Sequence, residues 1–233
     1  YYKMLDAEQW GEAYWAAARN SNITPSHVFY GSGPSPVLVS SLDSNGKVKA
    51  SDTDWQKEIY SPAWTQNVGM TMSNSSDKSS VLFSSNFINQ DGLMDYTFYR
   101  RFSARINSTY NFNRYLDIGE NLMVAKWQNR GASTNSDGGV PFTAMRQMPA
   151  IPVYDSDGKF TNPTELCASD IANPVQTLYN SRNDSNDSWR IFGNSYLEVK
   201  PIDGLTLKSN IGIEHLQYLS KTLTRKVNST DQN

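Results

Sequence analysis

Cysteine, histidine and long apolar runs are all scarce in this 233-residue chain. The single cysteine, Cys167, excludes an intrachain disulfide and a cysteine-cluster metal site. No apolar run approaches the roughly 20 residues of a membrane-spanning helix, so strands would have to make any membrane crossing. A net charge of −2 gives no electrostatic basis for binding nucleic acid. The hydrophobic fraction of 38% is low for a packed globular core, for which roughly 45–50% is typical.

The stretch from Phe102 to Phe112 alternates between apolar or small residues and polar residues, with Ser108 as the one gap. Strict alternation places the two sets on opposite faces of one strand. Soluble strands usually end after about five or six residues, whereas a strand that crosses a bilayer needs roughly 9–11. The long run at 99–113 therefore predicts a transmembrane β-barrel whose apolar face points outward.

Six strands are predicted in all, at 67–74, 79–90, 99–113, 115–127, 189–202 and 204–219. The connections between them alternate in length. Short turns at 75–78, 114 and 203–204 alternate with long segments at 1–66, 91–98 and 128–188. Outer-membrane barrels combine short periplasmic turns with long exterior loops in this way. The predicted fold class is all-β: consecutive strands of a large antiparallel barrel over 67–233, with the long segments on the exterior.

Short helices are predicted inside these exterior segments. Asp6 and Gln9 have capping-box spacing at the start of a first helix. Helical spacing predicts its apolar face as Trp10, Ala13, Tyr14 and Ala17. A second helix is predicted at 54–59, and Asn173-Pro174 begins a third. The segment 155–158 predicts a turn, because its glycine comes too early for a calcium-binding loop.

Five exterior aromatic residues are candidates for substrate binding: Trp55, Trp64, Trp127, Tyr154 and Trp189. Trp127 and Trp189 flank the longest loop, where tryptophans either form an interfacial girdle or stack on sugar rings. Trp55 and Trp64 each have two interpretations: they belong to a small core within the first segment, or they contact a ligand.

Five polar residues of the alternating strands are expected to face the barrel lumen: Arg101, Arg105, Asn107, Lys208 and Glu214. A charge on the lipid side would cost about 2–4 kcal/mol at mid-membrane, which assigns the polar face to the lumen.

No constellation of catalytic or metal-binding residues is legible. His27 and His215 lie far apart in sequence, and neither has metal-ligand spacing with another candidate. No Ser-His-Asp or Cys-His arrangement can be recognised. We therefore expect no catalytic residues, no metal and no cofactor, and we do not expect an enzyme.

Several motifs, taken in their order along the chain, resemble one protein family. They are Thr53–Ile59, Asn86–Leu93, Tyr99–Asn107, Met148–Asp155, Asn173–Val175 and Pro201–Leu207. This ordered set resembles the early barrel of SusC-like (SusC/RagA) TonB-dependent transporters, and the resemblance covers essentially the whole chain.

The resemblance implies uptake across the outer membrane of a Gram-negative bacterium. Such proteins import oligosaccharides or peptides, are driven by TonB, and work beside a SusD-like surface lipoprotein that closes the barrel. Transporters of this class have about 22 strands and a plugged lumen. We therefore interpret the chain as a mature or internal piece that lacks the TonB-contacting region, the plug and most of the barrel.

A soluble secreted β-sandwich that acts as a carbohydrate-binding module is the alternative. It would explain the alternation and the tryptophans equally well, but it fits the strand lengths and the uneven connections poorly. In a sandwich, Phe102 and Ile211 would be packed between two sheets. In a barrel wall, they would face detergent or lipid.

Overall fold

The computed structural model describes residues 2–134, 137–166 and 170–223, so Cys167 lies outside the described residues. Six strands form one antiparallel sheet in chain order: β1 (Thr65–Ser75), β2 (Ser79–Asp91), β3 (Phe98–Asn113), β4 (Leu116–Arg130), β5 (Ser185–Ile202) and β6 (Leu205–Lys221). Four helices accompany them: α1 (Ala7–Asn20), α2 (Trp55–Ile59), α3 (Val140–Arg146) and α4 (Pro174–Asn180). The predicted all-β class and all six strands are confirmed, whereas α3 was not predicted.

The two ends of the sheet differ in the length of their connections. At one end, here called the turn end, residues 76–78, 114–115 and 203–204 join neighbouring strands. Gly204 has a φ of +84° in its tight turn, a backbone conformation that favours glycine. At the other end, here called the loop end, lie residues 2–64 and 92–97 and the described residues between β4 and β5, namely 131–134, 137–166 and 170–184. Arg130 fastens two of these loops together by donating to the carbonyl oxygens of Tyr96 and Asp184.

The strand register separates the side chains onto an apolar face and a polar face. Ile106 lies opposite Phe83 on one side and Leu122 on the other, and Phe102 lies opposite Phe87. The same face also carries Val68, Met70, Met72, Val81, Ile118, Val124, Ile191, Leu197, Val199, Leu207, Ile211 and Ile213.

No second sheet covers this apolar face within the described residues. The exposed fraction is 53% for Phe102 and 77% for Ile211. A β-sandwich requires such side chains to be packed against an opposite sheet, so the architecture of the described residues disfavours the carbohydrate-binding module. Among the same residues, no helix has the length and apolar character needed to cross a membrane.

The loop-end segments pack against each other and form a small domain, here called the cap (residues 6–60, 139–166 and 170–180). Trp55 lies at its centre, and its Nε1 donates to the carbonyl oxygen of Met148 at 3.1 Å. The amide of Ser51 donates to Ala150, and that of Thr53 donates to Pro149. The buried core of the cap consists of Ala7, Trp15, Phe29, Tyr30, Leu42, Trp55, Ile59, Val140, Ala144, Met148, Ala150, Ile151, Val153 and Leu178. Two segments distant in sequence are thus one packed unit.

Helix α1 begins with the predicted capping box: Asp6 accepts from the amide of Gln9 at 2.8 Å, and Gln9 accepts from that of Asp6. The predicted apolar face was wrong. Ala13, Tyr14 and Ala17 are exposed, Trp10 is half-buried, and the buried residues are Ala7, Gly11 and Trp15. A Cβ at Gly11 would lie 2.7 Å from Cε1 of Tyr30, so the absence of a side chain there is what admits the Tyr30 ring. The helical pattern did not count this glycine as a contact residue.

His27 lies in an aromatic cluster beside α1. Its ring centroid is 5.4 Å from that of Trp10, 5.2 Å from that of Tyr14 and 5.6 Å from that of Tyr30. Burial lowers the pKa of His27, and its Nδ1 accepts a hydrogen bond from the amide of Phe29 at 3.2 Å. Only an unprotonated Nδ1 can accept this bond, so the cluster requires the neutral imidazole.

Replacing Asn173 should loosen two parts of the cap at once. Its side chain is 1% exposed, caps α4 at the amides of Val175 and Gln176, and donates to the carbonyl oxygens of Val153 and Thr161. Loss of a cap and of buried hydrogen bonds costs about 2 kcal/mol. In the full-length protein, Asn173→Ala should therefore accelerate hydrogen exchange by roughly 30-fold in 153–161 and 174–180. Asn45→Ala, on an exposed turn, is the matched control and should change neither segment.

The cap should also weaken at acid pH. Because the pKa of His27 is lowered from its ordinary 6.5, the unfolded chain takes up the proton first as the pH falls. The stabilisation is complete above pH 6.5 and decreases as the pH falls through the lower pKa of the folded state. Hydrogen-exchange protection of residues 23–36, corrected for intrinsic rates, should be lower at pH 5.5 than at pH 7.5. His27→Asn, which keeps an acceptor for Phe29, should lose this dependence. Equal protection of the wild type at both values would contradict the assignment.

Candidate functional site

The polar face of the sheet brings together all five residues that the sequence assigned to a lumen. Arg101, Arg105 and Asn107 alternate along β3. Arg105 and Glu214 belong to one row across the strands. The residues of this row, from β3 to β6, are Arg105, Met123, Phe192 and Glu214. Lys208 lies opposite Glu198 on the same face. That this face lines a lumen is a prediction from the sequence.

Most charges on the polar face are paired near the turn end and the middle of the sheet. Arg190 contacts Glu214 at 2.6 Å, and Lys200 contacts Asp117 at 2.6 Å. Glu198 lies between Lys200 and Lys208, at 3.4 and 3.5 Å. Arg101 and Arg105, in contrast, have no acidic group within 4 Å among the described residues. The polar face therefore has an excess of positive charge along β3.

Asparagine side chains form hydrogen bonds across the middle of the same face. Nδ2 of Asn121 donates to Oδ1 of Asn194 at 3.3 Å, and Nδ2 of Asn194 donates to Oδ1 of Asn210 at 2.8 Å. A separate bond joins Asn86 to Asn67 at 2.7 Å. Each amide keeps further donor and acceptor capacity, so the face is suited to hydrogen-bonding with water and with polar solutes.

Trp127 and Trp189 lie on opposite faces of the sheet. Both are inside strands, because β4 extends to Arg130 and β5 begins at Ser185, whereas the prediction ended these strands at the tryptophans. Trp127 lies opposite Arg101 and Ser188 on the polar face. Trp189 is on the apolar face, with Nζ of Lys126 5.4 Å from its ring centroid. Two residues that the sequence treated alike therefore have different surroundings: one meets polar groups, and the other shares a face with Ile191 and Leu197.

Counting residues along the strand could have revealed this difference. Val124 lies on the apolar face, and Trp127 is three residues further along β4, so strict alternation places Trp127 on the polar face. The expectation that both tryptophans share one environment rested on their proximity to the loop instead of on strand parity.

The remaining aromatic candidates differ in accessibility. Trp55 is 3% exposed in the core of the cap, so of its two interpretations the structure supports the loop core. Trp64 is 80% exposed, immediately before β1. Tyr154 is about half exposed, and burial of the rest of its ring raises its pKa.

Tyr154 belongs to a row of aromatic rings that the sequence did not indicate. Its ring centroid is 4.9 Å from that of Phe160, which is 5.3 Å from that of Tyr179. Tyr179 in turn approaches Tyr96 at 6.1 Å and lies beneath the guanidinium of Arg182. The row links the 153–161 hairpin, α4 and the loop between β2 and β3, so only the fold of the cap assembles it.

The acidic segment after Tyr154 forms the predicted turn. Oδ1 of Asp155 accepts from the amides of Asp157 and Lys159, both at 2.9 Å, and Gly158 has a φ of +78°. Asp157 pairs with Lys47 at 2.5 Å, which lowers the pKa of Asp157. The carboxylates of Asp155 and Asp157 are therefore both engaged in contacts within the cap. Across the described ranges, no group of three or more histidine, cysteine, aspartate or glutamate side chains is arranged to hold a metal ion.

Curated proteins with similar sequences are TonB-dependent receptors. The chain is 29% identical over 168 residues to TonB-dependent receptor P3 of Formosa agariphila, covering 69% of this chain and 16% of the receptor. It is 22% identical over 161 residues to TonB-dependent receptor P26 of the same organism, covering 68% of this chain and 15% of that receptor. The chain thus spans about a sixth of the length of these relatives. No family model matches the sequence.

Solved structures of a peptide transporter have a similar fold. The RagAB peptide transporter matches with a TM-score of 0.58 at 22% identity, over 70% of this chain and 19% of that one. The RagAB peptide importer in its closed-closed state matches with a TM-score of 0.57 at 22% identity, over 74% of this chain and 20% of that one. The resemblance inferred from the residues is therefore confirmed, and the six-stranded sheet has the fold of part of a TonB-dependent transporter barrel.

Proposed function

We propose that this chain, whose fold is that of part of a TonB-dependent transporter barrel, forms a section of the wall of such a transporter in the outer membrane of a Gram-negative bacterium. The observation that carries the proposal is an uncovered, largely apolar face opposite a largely polar face over strands of 11–18 residues. A strand needs roughly 9–11 residues to cross the bilayer, so every strand is long enough.

The uncovered apolar face supports lipid as its environment. Each large apolar side chain left in water forgoes about 1.5–3 kcal/mol that burial would provide. Side chains such as Phe102, Leu207 and Ile211 would face acyl chains without any covering sheet. The polar face would then line the lumen, where Arg101, Arg105, Asn107, Lys208 and Glu214 remain hydrated or meet a plug.

The free edges of the sheet support neighbours on both sides. β1 and β6 each have one edge without a partner strand among the described residues, and both strands are exposed along their whole length. Long unpaired edges invite pairing with other strands. Six strands also cannot close a barrel of about 22. We infer that β1 and β6 pair with further strands of the same transporter.

The short connections at one end of the sheet and the long ones at the other support an orientation with the turn end in the periplasm and the loop end outside. The segments 1–66, 91–98 and 128–188 would then lie on the exterior, and the cap would meet a SusD-like lipoprotein, the cargo, or both. Coupling to TonB would pass through a region outside this chain.

The cargo we propose is an oligosaccharide, with a peptide as the second candidate. Exposed aromatic rings at the loop end, namely Trp64 and the two ends of the row, Tyr154 and Tyr96, suit contact with the apolar faces of sugar rings. The peptide alternative has support from the solved structures, whose titles name a peptide transporter and a peptide importer. The curated relatives are receptors, in keeping with a protein that is not an enzyme.

A pair of adjacent substitutions should test which face meets lipid. Ile106→Arg on the apolar face should cost about 2–4 kcal/mol at mid-membrane, whereas Asn107→Arg, the next residue on the polar face, should be tolerated. The measurement is the amount of heat-modifiable, folded full-length protein in outer-membrane fractions, compared on gels of boiled and unboiled samples. Ile106→Arg should reduce the folded band strongly and Asn107→Arg should not. Equal effects, or greater damage from Asn107→Arg, would refute the assignment of the faces.

A further inference from the structure

We propose that Arg101, Trp127 and Ser188 form a binding site for the carboxylate or sulfate group of an acidic oligosaccharide. The inference rests on the proposed function and deepens it, because it names the chemical class of the cargo. We call these three residues the Arg101 row.

The strand register places the three side chains next to one another. Arg101 lies directly opposite Trp127, and Trp127 lies directly opposite Ser188, all on the polar face. Directly opposite residues have Cβ atoms about 4.5–5.5 Å apart, so the row spans roughly 10 Å across three strands. This span matches one or two sugar rings. The row also lies near the loop end, since Trp127 is close to the end of β4 and Ser188 is close to the start of β5.

Two polar atoms of the row are buried without a hydrogen-bond partner among the described residues. They are Nε of Arg101 and Oγ of Ser188, and the Ser188 side chain is only 1% exposed. Native proteins rarely leave buried donors and acceptors unpaired, and such exceptions point to a missing partner. Nε of Arg190, on the same face of β5, is unpaired as well. Three buried, unpaired polar atoms of the described residues therefore lie in one region of the polar face.

The charges of the polar face favour an anion as that partner. The acidic residues on this face of the described strands, Asp117, Glu198 and Glu214, already pair with lysine or arginine. Arg101 has no acidic neighbour within 4 Å in the described ranges, so nothing there balances the positive charge of its guanidinium. A guanidinium binds a planar or tetrahedral oxyanion through two parallel hydrogen bonds. The hydroxyl of Ser188 can donate a further bond to the same ligand.

The tryptophan in the row favours a sugar as the carrier of this anion. The indole of Trp127 offers a flat apolar surface between a guanidinium and a hydroxyl. This combination suits a sugar acid, whose ring can stack on the indole while its acidic substituent accepts hydrogen bonds. An acidic peptide would use the arginine but would have less need of the flat ring.

Arg105 provides a matched control for Arg101. It is on the same strand and face, four residues away, and it is likewise without an acidic neighbour within 4 Å in the described ranges. It lies opposite Met123 instead of a tryptophan. Neutralising either arginine changes the charge of the face by the same amount, but only Arg101→Gln removes the proposed ligand contact.

The experiment measures binding of defined probes to the purified full-length transporter. The probes are oligogalacturonate, oligoalginate and sulfated galactan oligosaccharides, with neutral oligosaccharides of matched length and acidic peptides for comparison. The wild type should bind at least one acidic oligosaccharide. Arg101→Gln should weaken this binding by about tenfold or more, and Arg105→Gln by less than about threefold. Neutral oligosaccharides should be unaffected by either change.

Ser188→Ala separates binding from folding. Because the hydroxyl has no partner within the described residues, its removal should leave the yield of folded protein unchanged. It should weaken the binding of the acidic oligosaccharide by a few fold.

Four results would overturn the inference. The first is that the wild type binds only neutral oligosaccharides, or none of the acidic ones. The second is that Arg101→Gln and Arg105→Gln weaken binding equally, and the third is that acidic peptides bind as tightly as acidic oligosaccharides or more tightly. The fourth is that Arg101→Gln reduces the amount of folded protein without changing the selectivity of binding. The last result would mean that Arg101 pairs with an acidic residue elsewhere in the transporter. Each leaves the proposed place in the barrel wall standing, since that fails only if the faces tested at Ile106 and Asn107 are reversed or equivalent. Tighter binding of acidic peptides would in addition make a peptide the proposed cargo.

Discussion

Backbone hydrogen bonds between neighbouring strands fix the register of the sheet, and the register decides which side chains share a face. A shift of one residue in any strand would move its whole apolar set to the opposite face. Ile106 could then no longer lie between Phe83 and Leu122, and Arg105 would take its place among apolar neighbours. The paired charges, the asparagine contacts and the Arg101 row follow from this one constraint because, apart from Glu198 and Lys200 within β5, they join residues from different strands. The tight turns support it, since residues 114–115 and 203–204 leave little freedom for slippage.

The cap is a different kind of structure, held by packing of side chains instead of by a ladder. Its core unites residues of the first long segment with residues far along the chain, as when Trp55 donates to Met148, 93 positions later. The bridge between Tyr60 and Met94 and the two bonds of Arg130 connect this unit to the sheet. The loop end is therefore organised, with aromatic rings from three separate segments brought into one row. In a transporter wall, such a cap would give the exterior surface a defined shape in which partners and cargo could be recognised.

Much of the fold could be predicted because its signals are local. Alternation at 99–113, the Asp203-Gly204 turn, the capping box of Asp6 and Gln9, and the Asn173-Pro174 helix start each depend on residues close in sequence, and each is present in the structure. Where the prediction failed, the decisive contact was distant. The buried face of α1 depends on Tyr30 packing against Gly11, and Trp55 is enclosed by residues of the second long loop. The helix α3 has no capping side chain, which removes the signal by which the other helices were recognised.

The sequence by itself determined that this protein has six long strands, and the alternation at 99–113, 115–127 and 204–219 assigned an apolar and a polar face to three of them, since a period of two residues is a property of the strand alone. It also determined which residues of β3 and β6 lie on the polar face. Only the tertiary structure decided which of these residues are neighbours. It placed Trp127 beside Arg101 and Ser188 but Trp189 on the other face, paired Glu214 with Arg190, and left Arg101 without an acidic partner within the described residues. The reason is physical: contacts across a sheet depend on register and strand order, and neither can be read from one strand by itself.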